Sequence, residues 1–215
     1  AFSSLVLFAL AVCMLLKPGK ILLLALPCCL LSLFLTNYRT GMIAAVPILF
    51  YFLCLLSVAL LPSWRSRLAF VLVGTCGLLT LQLAYSIELP RFYDISLLLR
   101  DGSSFIKYPW QFTTADRQIM SGRLLLWSQY IYAYSQGDAL QHLLGFGPDS
   151  WKLGFRKYAH NAYVSALYEQ GIVGLLAYLG IFVHFVAQAL RAHGLARVRG
   201  LCAIAAAWIY GLGTL

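Results

Sequence analysis

Charge is scarce in this sequence, and acidic charge scarcest: 11% of the 215 residues are Asp, Glu, Lys or Arg, and only seven are acidic. Soluble domains carry charge on about a quarter of their residues, so a water-soluble globular domain is excluded. The six cysteines, Cys13, Cys28, Cys29, Cys54, Cys76 and Cys202, all lie within apolar stretches. They make no disulfide framework and read as small packing residues. No basic n-region or small-residue cleavage pattern precedes the first apolar run, which makes a secretory signal peptide a poor reading of that run. The net charge of +9 lacks the soluble basic face that nucleic-acid binding needs, so no nucleic-acid partner is expected. A dinucleotide fingerprint is excluded as well, because its flanking strand and helix are missing.

Apolar length is what the sequence has in excess: 61% of residues are hydrophobic and the mean hydropathy is +0.81. Crossing about 30 Å of hydrocarbon takes roughly 20 helical residues. Six apolar runs stand out, at 1–16, 21–36, 42–61, 68–87, 162–190 and 201–215. Each breaks at proline, glycine or a charge cluster, as at Lys17-Pro18-Gly19-Lys20. The expected fold is an all-α integral membrane protein, a polytopic helical bundle with about six spans. Spans fill 1–87 (four) and 162–215 (two), and residues 88–161 form one long polar loop containing short amphipathic helices. Both ends lie inside apolar runs, so the chain is expected to be an internal piece of a longer protein.

Basic residues in short loops mark the cytoplasmic face. Lys17 and Lys20, Arg65 and Arg67, and Arg191, Arg197 and Arg199 fall on one face when the spans alternate. The opposite, external face receives the 36–41 turn, with Arg39 as its one cation, and the long loop. Six of the seven acidic residues, Glu88, Asp94, Asp101, Asp116, Asp138 and Asp149, sit in that loop; the seventh, Glu169, is the one acid in a span. The loop is rich in Trp, Phe and Tyr, too apolar for a disordered tail. Over 121–136, Leu124, Trp127, Ile131 and Tyr134 recur at spacings of three and four, which predicts an amphipathic helix ended by Gly137. Asn161 is placed to cap the fifth span, with His160 at its outer mouth. Gly171, Gly174, Ala177 and Gly180 then make a small-residue stripe suited to close helix packing.

These residues carry a resemblance. His160-Asn161, nine residues, then Gly171-Ile172-Val173-Gly174, at the junction of a long external loop with a span, resembles the signature of the O-antigen ligase and polymerase family. Ser121-Gly122-Arg123 followed by Trp127 is similar to the family's loop segment, Gly145-Phe146-Gly147 to its glycine turn, and Thr36-Asn37-Tyr38-Arg39-Thr40-Gly41 to its membrane-edge arginine motif. The family usually has a small residue before that arginine, where this chain has Tyr38. The resemblance implies a glycosyltransferase at the periplasmic face of the bacterial inner membrane. It would move an oligosaccharide or polysaccharide from undecaprenyl diphosphate to an acceptor hydroxyl on another glycan, lipid A core or a protein. It implies Arg39 and Arg123 as diphosphate ligands and His160 as the catalytic residue, with Asn161, Gly145 and Gly147 as further substrate contacts.

Elementary chemistry agrees with that assignment. A diphosphate leaves as a stable anion and needs positive charge more than a proton, which the planar, permanently charged arginine fork supplies. The attacking hydroxyl must lose a proton, and histidine, with an ordinary pKa near 6.5, accepts one at neutral pH. Direct displacement inverts the anomeric centre. Arg156 and Lys157, just before His160, are placed to steer an anionic donor or hold lipid headgroups. No cofactor is expected, and with no closely spaced acidic metal motif in the loop, no metal either. Two other classes remain open: a membrane transporter, which would place ionisable groups deep in several spans, and a non-catalytic membrane scaffold. Ligase, polymerase and protein-directed transferase share the motif, so sequence does not separate them.

Overall fold

A computed structural model describes residues 39–88 and 107–213, with short helical pieces at 9, 12–14, 28–29 and 31–32; for 39, 78–79, 81–88 and 118 it describes the backbone alone. Seven α-helices run through the described residues: α1 (Arg39–Leu60), α2 (Trp64–Glu88), α3 (Arg123–Ser135), α4 (Ala139–Leu144), α5 (Trp151–Gly154), α6 (Ala162–Arg191) and α7 (Gly194–Gly211). Single 3₁₀ segments at Pro109–Gln111 and Asp116–Gly122 precede α3. The all-α expectation holds. The chain divides into two compact units, one of 1–79 with 182–210, the other of 80–181 with 211–215.

Among the described residues two helical stretches, Thr40–Leu60 and Ala162–Arg191, are long and apolar enough to cross a membrane. The second differs from a soluble core helix in that only 6% of its most apolar stretch is buried. Val173, Leu176, Ile181, Val183 and Phe185 are half or more exposed along it. Apolar side chains turned outward along a helix of this length suit contact with lipid. Of the six expected spans, two are matched among the described residues by helices of the required length and composition. Runs 1–16 and 21–36 fall mostly outside the described residues, and run 201–215 falls on α7.

The first unit is built on one face of α1. Ala44, Ala45, Ile48, Tyr51 and Phe52 are all buried, at helical spacing, and cluster with Cys13, Met14, Cys202 and Ala206. Cys202 and Ala206 are four apart on α7 and share its face. All six cysteines are free thiols, two of them in this core, as the packing reading expects. Pro62 stops α1, and Ser63 starts α2 by accepting the Ser66 amide on its hydroxyl (3.2 Å). Arg67 Nε donates to Leu61 O (2.7 Å) and seals that turn.

In the second unit α6 is broken, and the break organises everything outside it. Gly171 sits at φ 67°, ψ −168°, inside the helix and fully buried. A residue in that conformation interrupts the i→i−4 ladder and frees carbonyls in the preceding turn. The loop after α4 supplies the missing donors: Phe146 N–H bonds Tyr168 O (2.9 Å) and Gly147 N–H bonds Glu169 O (3.0 Å). Backbone of loop and helix touch so closely that a Cβ on Gly145 would run into Glu169 and Gln170, and one on Gly171 into Leu143 O and Gly145 N. The stripe of small residues therefore divides. Gly171 serves a loop contact and not helix-on-helix packing, while a Cβ at Gly180 would meet nothing within 4 Å.

Substituting Gly171→Ala or Gly145→Ala combines a conformation open essentially only to glycine with a backbone collision, at a cost of about 2 kcal/mol or more. Thermal unfolding of the detergent-solubilised protein is expected to drop sharply for both, and to stay unchanged for Gly180→Ala.

Candidate active site

The segment that carries His160 is held from two sides. From α3, Trp127 Nε1 donates to Ala159 O (2.8 Å) and Tyr130 Oη donates to Lys157 O (3.0 Å). Tyr130 is fully buried, stacked on Phe155 (3.9 Å, 14°) and edge-on to Tyr168 (5.2 Å), which is itself stacked on Phe146 (4.7 Å, 12°). Burial pushes the Tyr130 phenol above its ordinary pKa, so it remains a donor. From α6, Asn161 Oδ1 accepts the amides of Tyr163 (3.0 Å) and Val164 (3.1 Å), the N-cap expected from sequence. Between these anchors His160 takes a left-handed backbone, φ 51°, with Tyr158 edge-on to its imidazole at 6.1 Å. A non-glycine residue rarely adopts that conformation, and here the fixed ends on both sides enforce it.

The buried face of α3 differs from the expected one by about one position. Leu126, Trp127, Tyr130, Ala133 and Tyr134 pack into the aromatic core, whereas Leu124 and Ile131 face a side cleft. Trp127 and Tyr134 belong to both descriptions; Tyr130, which lies outside the expected stripe, is the residue at the centre. Its ring has more apolar area than Ile131, and its hydroxyl finds a partner, so it takes the interior.

The other side of α3 walls a cleft of about 890 Å³. Arg117, Arg123, Arg156, Lys157 and His160 all line it, together with Gln129, Trp110 and Tyr132, and no carboxylate stands among the described lining residues. Arg123 opens α3 after three successive left-handed residues, Met120, Ser121 and Gly122. A cation in a first turn opposes the helix dipole, so helix stability does not account for it. Dipole and guanidinium together favour an anion in front of them. Arg123 Nη1 donates to Gly213 O (3.0 Å) and Asn161 Nδ2 to Leu212 O (3.3 Å), which ties the turn after α7 to the same unit. Arg117 Nε bonds Phe112 O (3.3 Å). Phe112 is buried with the Lys107 ammonium 5.0 Å above its ring. Lys107 also pairs with Asp116 (2.5 Å), whose carboxylate accepts the Thr113 amide (2.9 Å). The lysine first, and the Thr113 bonds after it, pull the Asp116 carboxyl down to about 2.

Of the residues expected from sequence, Arg123, Arg156, Lys157 and His160 come together in this cleft. Gly145, Gly147 and Asn161 are not among its lining residues: the glycines join the loop to the α6 break, and Asn161 caps α6. Arg39 opens α1, and its side chain lies outside the described residues. Arg117, Gln129, Trp110 and Tyr132 were missed by sequence reasoning. No helical spacing relates Arg117 to Arg123, because the left-handed run between them folds one back on the other; the tight Tyr108-Pro109-Trp110 turn was the one local signal.

Asp116 keeps its charge about two pH units below the ordinary carboxyl value of 3.8. Its bonds therefore stabilise the 107–117 segment fully above the unfolded value and are lost as pH falls through about 2. The Thr113 amide resonance is expected to titrate near that pH in the wild type and to show no such step in Asp116→Asn. Trp127→Phe keeps the ring and deletes the bond to Ala159 O; a loss of about 1 kcal/mol in thermal unfolding and displaced His160 imidazole resonances are expected.

Comparison with curated proteins gives no match. A family model described as O-Antigen ligase matches residues 21–179, well over half of the chain. The matched stretch contains α1 to α5, the α6 break and every residue of the cleft. Proteins of that family are integral membrane proteins, in keeping with the two membrane-length helices. On the match and on the fold it covers, this chain belongs to the O-antigen ligase family.

Proposed function

We propose that the chain transfers an oligosaccharide or polysaccharide from undecaprenyl diphosphate to an acceptor hydroxyl at the periplasmic face of the bacterial inner membrane. The observation that carries this reading is the cleft that gathers three arginines, a lysine and an imidazole with no described carboxylate on its walls. Such a lining attracts a multiply charged anion and includes one imidazole, His160, a side chain of the kind that serves as a general base.

In this reaction the acceptor oxygen attacks the anomeric carbon as the carbon–oxygen bond to the diphosphate breaks. Undecaprenyl diphosphate leaves with its full negative charge, which Arg123, Arg117, Arg156 and Lys157 stabilise. His160 accepts the hydroxyl proton and returns it to solvent. Attack opposite the leaving group inverts the anomeric centre. Because cations carry the charge of the leaving group, no metal is required by the scheme. For Arg39 the role of a further diphosphate ligand rests on the family resemblance alone. Ligase and polymerase differ only in which hydroxyl is presented.

In cells expressing full-length His160→Ala, undecaprenyl-linked donor is expected to accumulate and mature surface polysaccharide to disappear. Arg123→Ala is expected to weaken donor binding strongly, with Arg123→Lys intermediate, since lysine keeps the charge and loses the fork. Unaltered product from the histidine variant would overturn its assignment. Activity that a chelator abolishes and one divalent ion restores would overturn the metal-free scheme.

A further inference from the structure

Beside the cationic cleft, on the α3 flank, lies a second cleft of about 610 Å³ lined by Tyr108, Gln111, Trp127, Ser128, Tyr132 and Ser135 among others. The wall between the two is aromatic. Tyr108 and Trp110 lie face to face, 4.7 Å apart and 3° from parallel, and Tyr132 meets both edge-on at 6.1 and 5.0 Å. Trp110 lines the cationic cleft and Tyr108 the second one, while Pro109 and Tyr132 line both. This is a fixed assembly. Pro109 sets the turn, Gln111 Oε1 accepts the Tyr108 amide (2.9 Å), and the Gln111 amide returns to Tyr108 O (2.9 Å). Yet it is open to a ligand: Tyr108 is 56% and Trp110 62% exposed.

Folding does not account for two large, rigid rings held so far out of the core. We infer that the Tyr108–Trp110 wall is a pyranose-stacking subsite, with Trp110 receiving the sugar ring next to the diphosphate. The inference rests on the glycan-transfer reading of the cleft and names what that reading leaves open, the group that grips the carbohydrate. A pyranose offers a flat C–H face and a rim of hydroxyls. The first suits the electron-rich face of an indole. The second suits an amide that both donates and accepts, which Gln129 presents in the same cleft. Aliphatic side chains line both clefts too, Leu124 and Ile131 the second and Leu125 and Leu126 the first, and the two probes below distinguish a polyprenyl contact from a sugar contact. Phosphate affinity and sugar affinity are thereby separated on one cleft: the cations answer to charge, and the aromatic wall to the ring attached to it.

The test measures binding to full-length protein in detergent with two probes, undecaprenyl diphosphate bearing no sugar and the undecaprenyl-linked glycan extracted from producing cells. Trp110→Ala is expected to lose about tenfold in affinity for the glycan-bearing probe, the scale of one well-made stacking contact. Its affinity for bare undecaprenyl diphosphate is expected to stay at the wild-type value. Trp110→Phe, which keeps a flat ring, is expected to retain most of the glycan affinity. Equal loss on both probes would assign Trp110 to an interfacial anchor or to general structure and overturn the subsite, as would an unchanged Trp110→Ala. Wild-type protein that binds neither probe would sink the glycan-transfer reading itself, and the subsite with it.

Discussion

Two backbone hydrogen bonds, from Phe146 and Gly147 to the carbonyls of Tyr168 and Glu169, hold the loop after α4 to a membrane-length helix whose own ladder is interrupted at Gly171. In hydrocarbon an unpaired peptide carbonyl costs several kcal/mol, so a broken span persists only where something else supplies its donors. The loop does so, and in return it gains a fixed position. The stacked rings of Phe146 and Tyr168 begin an aromatic core that runs through Tyr130 and Phe155 to the segment bearing His160. Remove the break and the loop loses its seat; remove the loop and the helix is left with open carbonyls.

The consequence for chemistry is that the cationic cleft sits on rigid parts. His160 is spaced by two tethers to α3 and by the Asn161 cap, and Arg123 by a left-handed run that could not be extended without strain. In the proposed reaction, groups that stabilise a departing diphosphate work best when their dipoles already point at it, because no reorganisation is then required in the transition state. Positive charge collected on one wall would normally repel itself. Here Arg123 and Arg117 each hand one N–H to a backbone carbonyl, which fixes their planes, and among the described residues neither forms an ion pair with a carboxylate.

Much of this was legible from the residues, and the reasons differ from place to place. Membrane character, the Asn161 cap and the α3 helix follow from local rules of composition, capping and period, and they hold in the structure. The gathering of Arg123, Arg156, Lys157 and His160 came from a motif, not from spacing. What local rules could not yield was anything set by packing between distant segments. Gly171 looked like one of a packing stripe because periodicity knows nothing of a loop 25 residues upstream. Tyr130 stood outside the expected stripe, and its hydroxyl partner, Lys157 O, is 27 positions away. Arg117 carried no local mark, since its place in the cleft depends on three unusual torsions that only one glycine among Met120, Ser121 and Gly122 advertises.

The mutual dependence of Gly145 and Gly171 also has an order in time. The loop lies before the broken span in the chain, so during synthesis its amides are made before the carbonyls that need them. The helix that carries the two open carbonyls thus meets donors that precede it in the chain. Seating of the loop and closing of the break are then a single event, and neither half of the contact is complete without the other.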